Sequence, residues 1–349
     1  MPALFALEKR TGSTWSNIQR ASKAAISMRE SLENCLNDSA SRDTSVVAFG
    51  SLARGEFTQG SDIDWVLLVD GLSDPKHLDV AIEIGEKVKQ VGVPPTGAEG
   101  IFSSIVSSHD LIHYIGGQGD TNANTTRRML LLLESVAVTG REAHERVLRN
   151  ILFRYLEEDQ GLWYGSSPYK IPRFFLNDVA RYWRTMAVDF AYKQRSRPGG
   201  DFALKNFKLR MSRKLIFLAG LVTCFECHLG FDDDELRSAF YKQRQVQPVI
   251  ELVQRTLSKP PLERVASALV REGLNSEGKR FFDAYDKFLG MLDNPEIRDQ
   301  LKAIPVKDLS GTLATEYRDV AHDFMNAIRG SFLVPTNTLG AMTIEYGVF

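Results

Sequence analysis

Long apolar runs are missing from this sequence. Nowhere in its 349 residues does a run approach the ~20 apolar residues that a helix needs to cross a bilayer. The N-terminus reads MPALFALEKRTGS, in which the apolar part is too short and the charges stand in the wrong order for a secretory signal peptide. We therefore expect a cytoplasmic protein with no direct membrane association.

Cysteine is scarce, with three residues in all. That number excludes a disulfide framework of the kind that stabilises small secreted domains. Cys224, Cys227 and His228 match the haem-attachment spacing and offer three metal ligands. The residues before them predict a helix, however, and no second Cys/His cluster completes a zinc site. We expect buried free thiols at the end of a helix.

An excess of charge of either sign is also missing. Lysine and arginine number 43 against 44 aspartates and glutamates, which gives a net charge of -1. This balance excludes a globally basic nucleic-acid binder, so any nucleic-acid surface must be local. The apolar and charged fractions are those of ordinary globular proteins. A chain of 349 residues can hold two domains, each with a substantial core.

The densest signals lie in residues 46–70, which read VVAFGSLARGEFTQGSDIDWVLLVD. Apolar runs at 46–49 and 65–69 predict two strands. Side chains alternate faces along an extended chain, so Asp62 and Asp64 point the same way while the residue between them points into the core. Two carboxylates are therefore expected to face one solvent pocket.

Carboxylates this close repel each other unless a cation lies between them. A hard divalent metal, Mg²⁺ above all, is the ion that such a pair holds, usually together with substrate phosphates. Gly50 lets the backbone approach a phosphate closely, and a helix that begins at Ser51 offers free N–H groups. The pattern predicts a metal and triphosphate site. The alternative is a β-hairpin with two solvated aspartates.

Three motifs in this stretch are spaced as in a known family: Gly50-Ser51, Arg54-Gly55-Glu56 and Ser61-Asp62-Ile63-Asp64. They resemble the signature of the DNA polymerase β-like nucleotidyltransferase superfamily.

The resemblance implies two Mg²⁺ ions, or Mn²⁺ in their place, on Asp62 and Asp64. It implies a nucleoside triphosphate whose β- and γ-phosphates are held by Ser51 and the Gly50 backbone, and attack of a hydroxyl on the α-phosphorus. Within the motifs, two further residues become candidate nucleotide-binding residues, namely Arg54 and Ser61.

A third carboxylate normally completes the metal site of this superfamily, on the strand after the aspartate pair. We expect that strand over residues 101–106. Glu99 stands just before it and Asp110 just after it. We prefer Glu99 as the third metal ligand and catalytic carboxylate, with Asp110 as the alternative.

The order of elements predicts an α+β fold, a small mixed-sheet polymerase β-like core followed by an all-helical domain. A helix over residues 13–36 precedes the first strand. We place the catalytic domain at residues 1–160, a helical nucleotide- or nucleic-acid-binding domain at 161–330, and a C-terminal tail at 331–349.

Basic residues outside the motif stretch suggest further phosphate contacts. A helix predicted over residues 127–138 begins with Arg127 and Arg128, and either one could reach the triphosphate or only start an ordinary helix. In the helical domain, cations and aromatic side chains interleave on two helices, as a groove for triphosphate or single-stranded nucleic acid requires. From these helices we select Lys208 and Arg213 as candidate nucleotide-binding residues.

The tail is poor in charge and ends in Tyr346-Gly347-Val348-Phe349. A tyrosine hydroxyl on a mobile tail could reach the site and serve as the acceptor. The alternative is a tail that packs as an edge strand, because its apolar residues would otherwise be exposed.

The chain length, the Gly-Gly-x-x-Asp-Thr stretch at residues 116–121, the basic helical domain and Tyr346 together resemble the Hailong-type nucleotidyltransferases of bacterial anti-phage defence. This resemblance implies template-independent synthesis of single-stranded DNA oligomers that starts on the hydroxyl of Tyr346. It also implies that the product restrains a membrane effector.

Three other functions stay open. An adenylyl- or uridylyltransferase that modifies a protein or a small molecule would share the site without needing Tyr346. A synthase of nucleotide second messengers would release a product free of protein. A degenerate nucleotide-binding regulator is disfavoured because both aspartates are present.

Overall fold

The computed structural model describes residues 1–92, 102–196, 201–231, 233–305 and 310–347. Within these residues the strands are β1 (Thr44–Phe49), β2 (Trp65–Val69), β3 (Ser104–Ser107) and β4 (Ser135–Thr139). The helices of the first part of the chain are α1 (Pro2–Thr11), α2 (Ser16–Leu36), α3 (Gly50–Arg54), α4 (Lys76–Gln90), α5 (Ser108–His113), α6 (Asn122–Leu133), α7 (Arg141–Glu157) and α8 (Gln160–Tyr164).

The rest of the described chain is helical. Its helices are α9 (Arg173–Ser196), α10 (Phe202–Lys208), α11 (Lys214–Leu229), α12 (Asp234–Lys242), α13 (Val246–Leu257), α14 (Pro261–Arg271), α15 (Asn275–Asp293), α16 (Pro295–Ala303), α17 (Thr312–Phe332) and α18 (Thr338–Met342). Two π-helical turns occupy Leu209–Arg213 and Thr343–Gly347. The predicted α+β fold, a small mixed sheet followed by a helical region, is confirmed.

The sheet has the strand order β3-β2-β1-β4. β1 pairs antiparallel with both β2 and β4, whereas β3 pairs parallel with β2. Every residue of β1 and β2 is buried, because helices cover both faces of the sheet. Alternate residues of these strands therefore enter different apolar cores, as the two-residue period of a strand requires.

The smaller core lies between the sheet and helices α2 and α4. It contains Leu32, Leu67 and Ile84. The larger core extends from the other face of the sheet through the helical region, so residues on both sides of position 160 share it. Trp15 illustrates the connection, since its ring lies 4.9 Å from that of Phe282 on α15. The division into a catalytic and a helical domain stays a prediction.

The predicted helix over residues 127–138 is wrong in its second half. Helix α6 ends at Leu133, and the chain then forms strand β4. The segment SVAVT is rich in small and β-branched side chains and finds a partner in β1, so pairing overrides the apolar pattern that suggested a continuous helix.

The tail and the N-terminus also differ from expectation. The tail forms α18 and a π-helical turn, not the edge strand considered as an alternative. Helix α1 was not expected. The third strand, expected over residues 101–106, is β3, and residue 101 lies outside the described residues.

Cys224 and Cys227 are buried free thiols on α11, as predicted, and burial raises the pKa of both. Among the described residues, no single helix is long and apolar enough to cross a membrane. One bent pair, Phe202–Leu229 with Asp234–Lys242, meets the requirement by length and composition alone.

Candidate active site

Asp62 and Asp64 lie on the extended segment that leads into β2. The Phe49 amide donates to the Asp64 carbonyl oxygen at 2.9 Å, which continues the pairing of β1 with β2 beyond the strand itself. Ile63 and Trp65 are buried, whereas Asp62 is exposed and Asp64 partly exposed. Both carboxylates line one pocket, which we call the carboxylate pocket.

Gly50 and Ser51 border the carboxylate pocket at the start of α3. Gly50 has φ +67°, a conformation that favours glycine. A Cβ atom at this position would lie 3.2 Å from Oδ2 of Asp64. The missing side chain therefore leaves the turn backbone open beside the carboxylate.

In the described part of the chain, no cation pairs directly with the two carboxylates. Neither Asp62 nor Asp64 forms an ion pair or a side-chain hydrogen bond with another residue in the described part of the chain. Burial and the charge of Asp62 together raise the pKa of Asp64 to about 7, although the charge of Arg213 opposes the shift. A carboxyl group in this state gains most from a cation that arrives with the ligand.

The opposite wall of the carboxylate pocket is basic and comes from the helical region. Its polar residues are Lys208, Ser212, Arg213 and Arg298. The Lys208 side chain has no hydrogen bond or ion pair with any other described residue. Burial, together with the nearby charge of Arg298, lowers the pKa of Lys208 to about 8.

The π-helical turn at Leu209–Arg213 explains why Lys208 and Arg213 share a wall. In an α-helix, residues five apart point in directions about 140° apart, because 3.6 residues make one turn. Bonding from i to i+5 widens the turn and brings such residues onto one face. The local irregularity therefore places two cations in the pocket.

A buried network lies beneath the pocket and is centred on Glu134, a residue that the sequence analysis missed. Arg54 donates to Glu134 and, at 2.9 Å, to Glu56. The Tyr182 hydroxyl donates to Glu134 at 3.0 Å, and Arg213 lies 3.6 Å from it. A glutamate directly after a run of four leucines was the available signal, because a charge there needs buried partners.

Arg54 lines the carboxylate pocket, but its guanidinium already forms ion pairs with Glu56 and Glu134 of this network. Burial disfavours the guanidinium charge, yet Glu56 and Glu134 outweigh it and hold the pKa of Arg54 above its ordinary value. Ser61 accepts a hydrogen bond from the Thr58 amide at 3.0 Å, which shapes the turn before the aspartates. These two residues support the site from within the protein.

Other residues selected from the sequence lie elsewhere. Arg127 borders a small apolar cavity with Phe49 and Phe102, not the carboxylate pocket. Asp110 follows the far end of β3, which runs parallel to β2, so the sheet separates it from the aspartates at the near end of β2. Glu99 lies outside the described residues.

Tyr346 borders a second cleft with Ser167, Arg173 and Glu345. Its hydroxyl is hydrogen bonded to Ser167, and the Arg173 guanidinium lies 5.5 Å from the centre of its ring. The side chain is 6% exposed, and burial raises the pKa of the hydroxyl. The structure therefore does not bring Tyr346 into the carboxylate pocket.

The donor set of the carboxylate pocket fits a hard divalent metal. Asp62 and Asp64 offer oxygen donors on one side of an extended segment, and nothing in the described part of the chain neutralises them. Within the described ranges, no group of three or more His, Cys, Asp and Glu side chains forms a metal site. Within these ranges, the two aspartates are therefore the candidate metal ligands.

Comparison with known proteins matches the part of the chain that carries the carboxylate wall of this pocket. Residues 29–106 match the family model described as nucleotidyltransferase domain, a span of 78 of the 349 residues. A search of curated proteins found no significant match. The matched span contains the turn at Gly50 and both aspartates.

Proposed function

We propose, on the premise that this chain is an enzyme with a nucleotidyltransferase domain, that the carboxylate pocket transfers a nucleoside monophosphate from a nucleoside triphosphate to a hydroxyl. Nucleotidyltransferase domains generally use divalent metals and nucleoside triphosphates. One observation carries the proposal: an unneutralised carboxylate pair faces the cations Lys208, Arg213 and Arg298 across a single pocket. A metal and a triphosphate would complement these two walls.

The reaction forms a bond between the acceptor oxygen and the α-phosphorus and breaks the bond between that phosphorus and the bridging oxygen to the β-phosphate. The acceptor proton leaves to solvent or to a base, and pyrophosphate departs with the bonding electrons. Asp62 and Asp64 would hold two Mg²⁺ ions, or Mn²⁺. When bound, such ions lower the pKa of the attacking hydroxyl and neutralise the leaving pyrophosphate.

The residues of the chain position the triphosphate. The open backbone at Gly50 and the Ser51 side chain would hold the β- and γ-phosphates from one side. Lys208 and Arg213 would balance their charge from the other side. Catalysis would then depend mainly on orientation and on charge neutralisation, as in phosphoryl transfer generally.

For the acceptor, we propose the hydroxyl of Tyr346 and hence template-independent synthesis of single-stranded DNA, which would act in anti-phage defence through a membrane effector. The length of the segment that carries Tyr346 beyond α17 supports this. The 14 residues from Leu333 to Tyr346 would span about 45 Å when extended. The tail would first have to leave its cleft and break the hydrogen bond to Ser167.

The separation of Tyr346 from the carboxylate pocket favours a second candidate, in which the acceptor is external. An adenylyl- or uridylyltransferase that modifies a protein or small molecule needs no movement of the tail. A synthase of nucleotide second messengers likewise needs none.

The experiment combines intact-mass spectrometry with pyrophosphate detection. The purified full chain is incubated with Mg²⁺ and each standard ribo- and deoxyribonucleoside triphosphate in turn. A ladder of nucleotide masses that disappears in Tyr346→Phe would establish self-primed synthesis and identify base and sugar. Pyrophosphate release without a change of mass would place the acceptor outside the chain. Absence of pyrophosphate with every triphosphate, alone or with hydroxyl acceptors, would contradict nucleotidyl transfer.

A further inference from the structure

Arg298 lies on α16, and its side chain reaches the turn just before the aspartate pair. It donates a hydrogen bond to the carbonyl oxygen of Gly60, a residue 238 positions away in the sequence. Arg298 also lines the carboxylate pocket together with Asp62. The helical region therefore contributes a cation that no local sequence pattern connects to the site.

Gly60 provides the space that Arg298 occupies. A Cβ atom at position 60 would overlap the guanidinium of Arg298. The φ angle of Gly60 does not lie in the left-handed region, so the backbone itself does not require glycine there. We conclude that the absence of a side chain at position 60 serves the packing of Arg298.

A second contact fixes the same turn to the helical region. The Gln59 amide donates to Oδ1 of Asp293, at the end of α15, at 3.2 Å. Two adjacent residues of the turn are therefore held by α15 and α16. Because Asp62 follows this turn directly, its position depends on these contacts.

The Arg298 guanidinium has N–H groups that remain available to a ligand in the pocket. Among the described residues it has no ion-pair partner, and its hydrogen bond goes to an uncharged carbonyl. Burial lowers the pKa of Arg298, and the charge of Arg298 in turn lowers the pKa of Lys208. The charge of Asp62 favours both cations, but neither forms an ion pair with a described residue. Two partly buried cations without a direct partner gain stability when an anion binds between them. A guanidinium has five N–H donors and suits phosphate oxygens.

We propose that Arg298 is a phosphate-binding residue that holds the terminal phosphates of the triphosphate from the helical side. Gly60 leaves the space in which the Arg298 guanidinium lies. The proposal deepens the proposed function and rests on it for the identity of the natural ligand. When the bond between the α-phosphorus and its bridging oxygen breaks, negative charge accumulates on the departing pyrophosphate. Arg298 stabilises that charge and links the position of α16 to the aspartate-bearing turn.

The test measures binding of inorganic tripolyphosphate to the full chain by calorimetry in the presence of EDTA. We expect Arg298→Ala to weaken binding about tenfold or more, because the charge-assisted hydrogen bonds from the guanidinium to the phosphate oxygens are lost. Arg298→Lys should recover part of the loss. Lys302→Ala is the matched control, since Lys302 lies on the same helix but pairs with Asp299 at 2.7 Å. Equal binding by Arg298→Ala and the parent, or an equal loss in Lys302→Ala, would overturn the proposal.

Gly60→Ala tests whether the space at position 60 is needed to position the Arg298 guanidinium, and it leaves the arginine in place. The Cβ would displace a flexible side-chain end, so we expect an unchanged melting temperature and several-fold weaker binding of tripolyphosphate. The double variant with Arg298→Ala should bind no worse than Arg298→Ala alone, because both changes act on one guanidinium. Additive losses would show that Gly60 acts independently of Arg298.

The two proposals fail in different ways. Pyrophosphate release by the parent together with an unchanged KM in Arg298→Ala would remove the role of Arg298 and leave nucleotidyl transfer intact. Binding of tripolyphosphate through Arg298 without turnover of any triphosphate would keep the phosphate site and remove the proposed reaction.

Discussion

Two places in this protein concentrate buried charge, and they handle it differently. In the first, Arg128 is fully buried and donates to Asp120, Asp178 and the Tyr155 hydroxyl at 2.6–3.0 Å. We call this group the Arg128 cluster. In the second, the carboxylate pocket, the two aspartates and the cations Lys208 and Arg298 have no ion-pair partner among the described residues.

The difference separates charge that holds the fold from charge that awaits a ligand. The Arg128 cluster joins α6, α7 and α9 and is complete without any other molecule. The carboxylate pocket carries opposite charges on its two walls and leaves them apart, which stabilises the fold little and suits a bound metal and triphosphate. Variants can test this distinction directly.

The largest effect on stability is expected from Arg128→Met. Removing one partner leaves buried carboxylates unpaired, which costs about 3–5 kcal/mol of unfolding free energy. Arg127→Met is the matched control, because the neighbouring Arg127 has a buried Nε atom without a hydrogen-bond partner in the described chain. Urea unfolding measures both. A similar loss in both variants would remove the distinction between paired and unpaired arginines.

A somewhat smaller loss of stability is expected from Glu134→Gln. Glu134 belongs to the buried network but also contacts Arg213 of the carboxylate pocket. The substitution keeps the shape but removes the carboxylate that meets Arg54 and Arg213. We expect about 2–3 kcal/mol lower stability and a slower reaction, since charge-assisted hydrogen bonds are lost and Arg213 is released. Unfolding in urea and kcat would be compared. Unchanged stability would show that the network does not support the site.

The smallest effect on stability, with opposite sign, is expected from Lys208→Met. The pKa of Lys208 is lowered to about 8 in the folded protein, so its charge costs stability below that pH, and the cost shrinks as the pH rises. We expect a higher melting temperature at pH 7 and about tenfold weaker triphosphate binding. In the parent, binding should weaken as the pH rises through 8, and the variant should lose this dependence.

The comparison also shows what the sequence could predict. The aspartate pair and the turn at Gly50 come from local spacing within one strand and one turn, and the structure places them at one pocket. Lys208 and Arg213 were visible as cations on a helix, although the π-helical turn that aligns them was not. Local patterns carry this information because it depends on neighbouring residues only.

Residues that depend on distant contacts were missed or misassigned. Arg298 reaches the site across 238 positions, and Glu134 is placed by a strand that the apolar pattern had merged into a helix. For Asp110, the register between β2 and β3 could not be predicted from local patterns, and that register puts it at the far end of the sheet. Tertiary pairing decides such positions.

The most direct test compares pyrophosphate release by the parent and by Asp64→Asn, with Mg²⁺ and each nucleoside triphosphate. We expect the variant to be about a thousandfold slower or more, because metal binding contributes several kcal/mol to the reaction. Its melting temperature should be unchanged or higher, since burial disfavours the Asp64 charge. A variant that releases pyrophosphate at the parent rate would contradict the assignment of the carboxylate pocket as the active site.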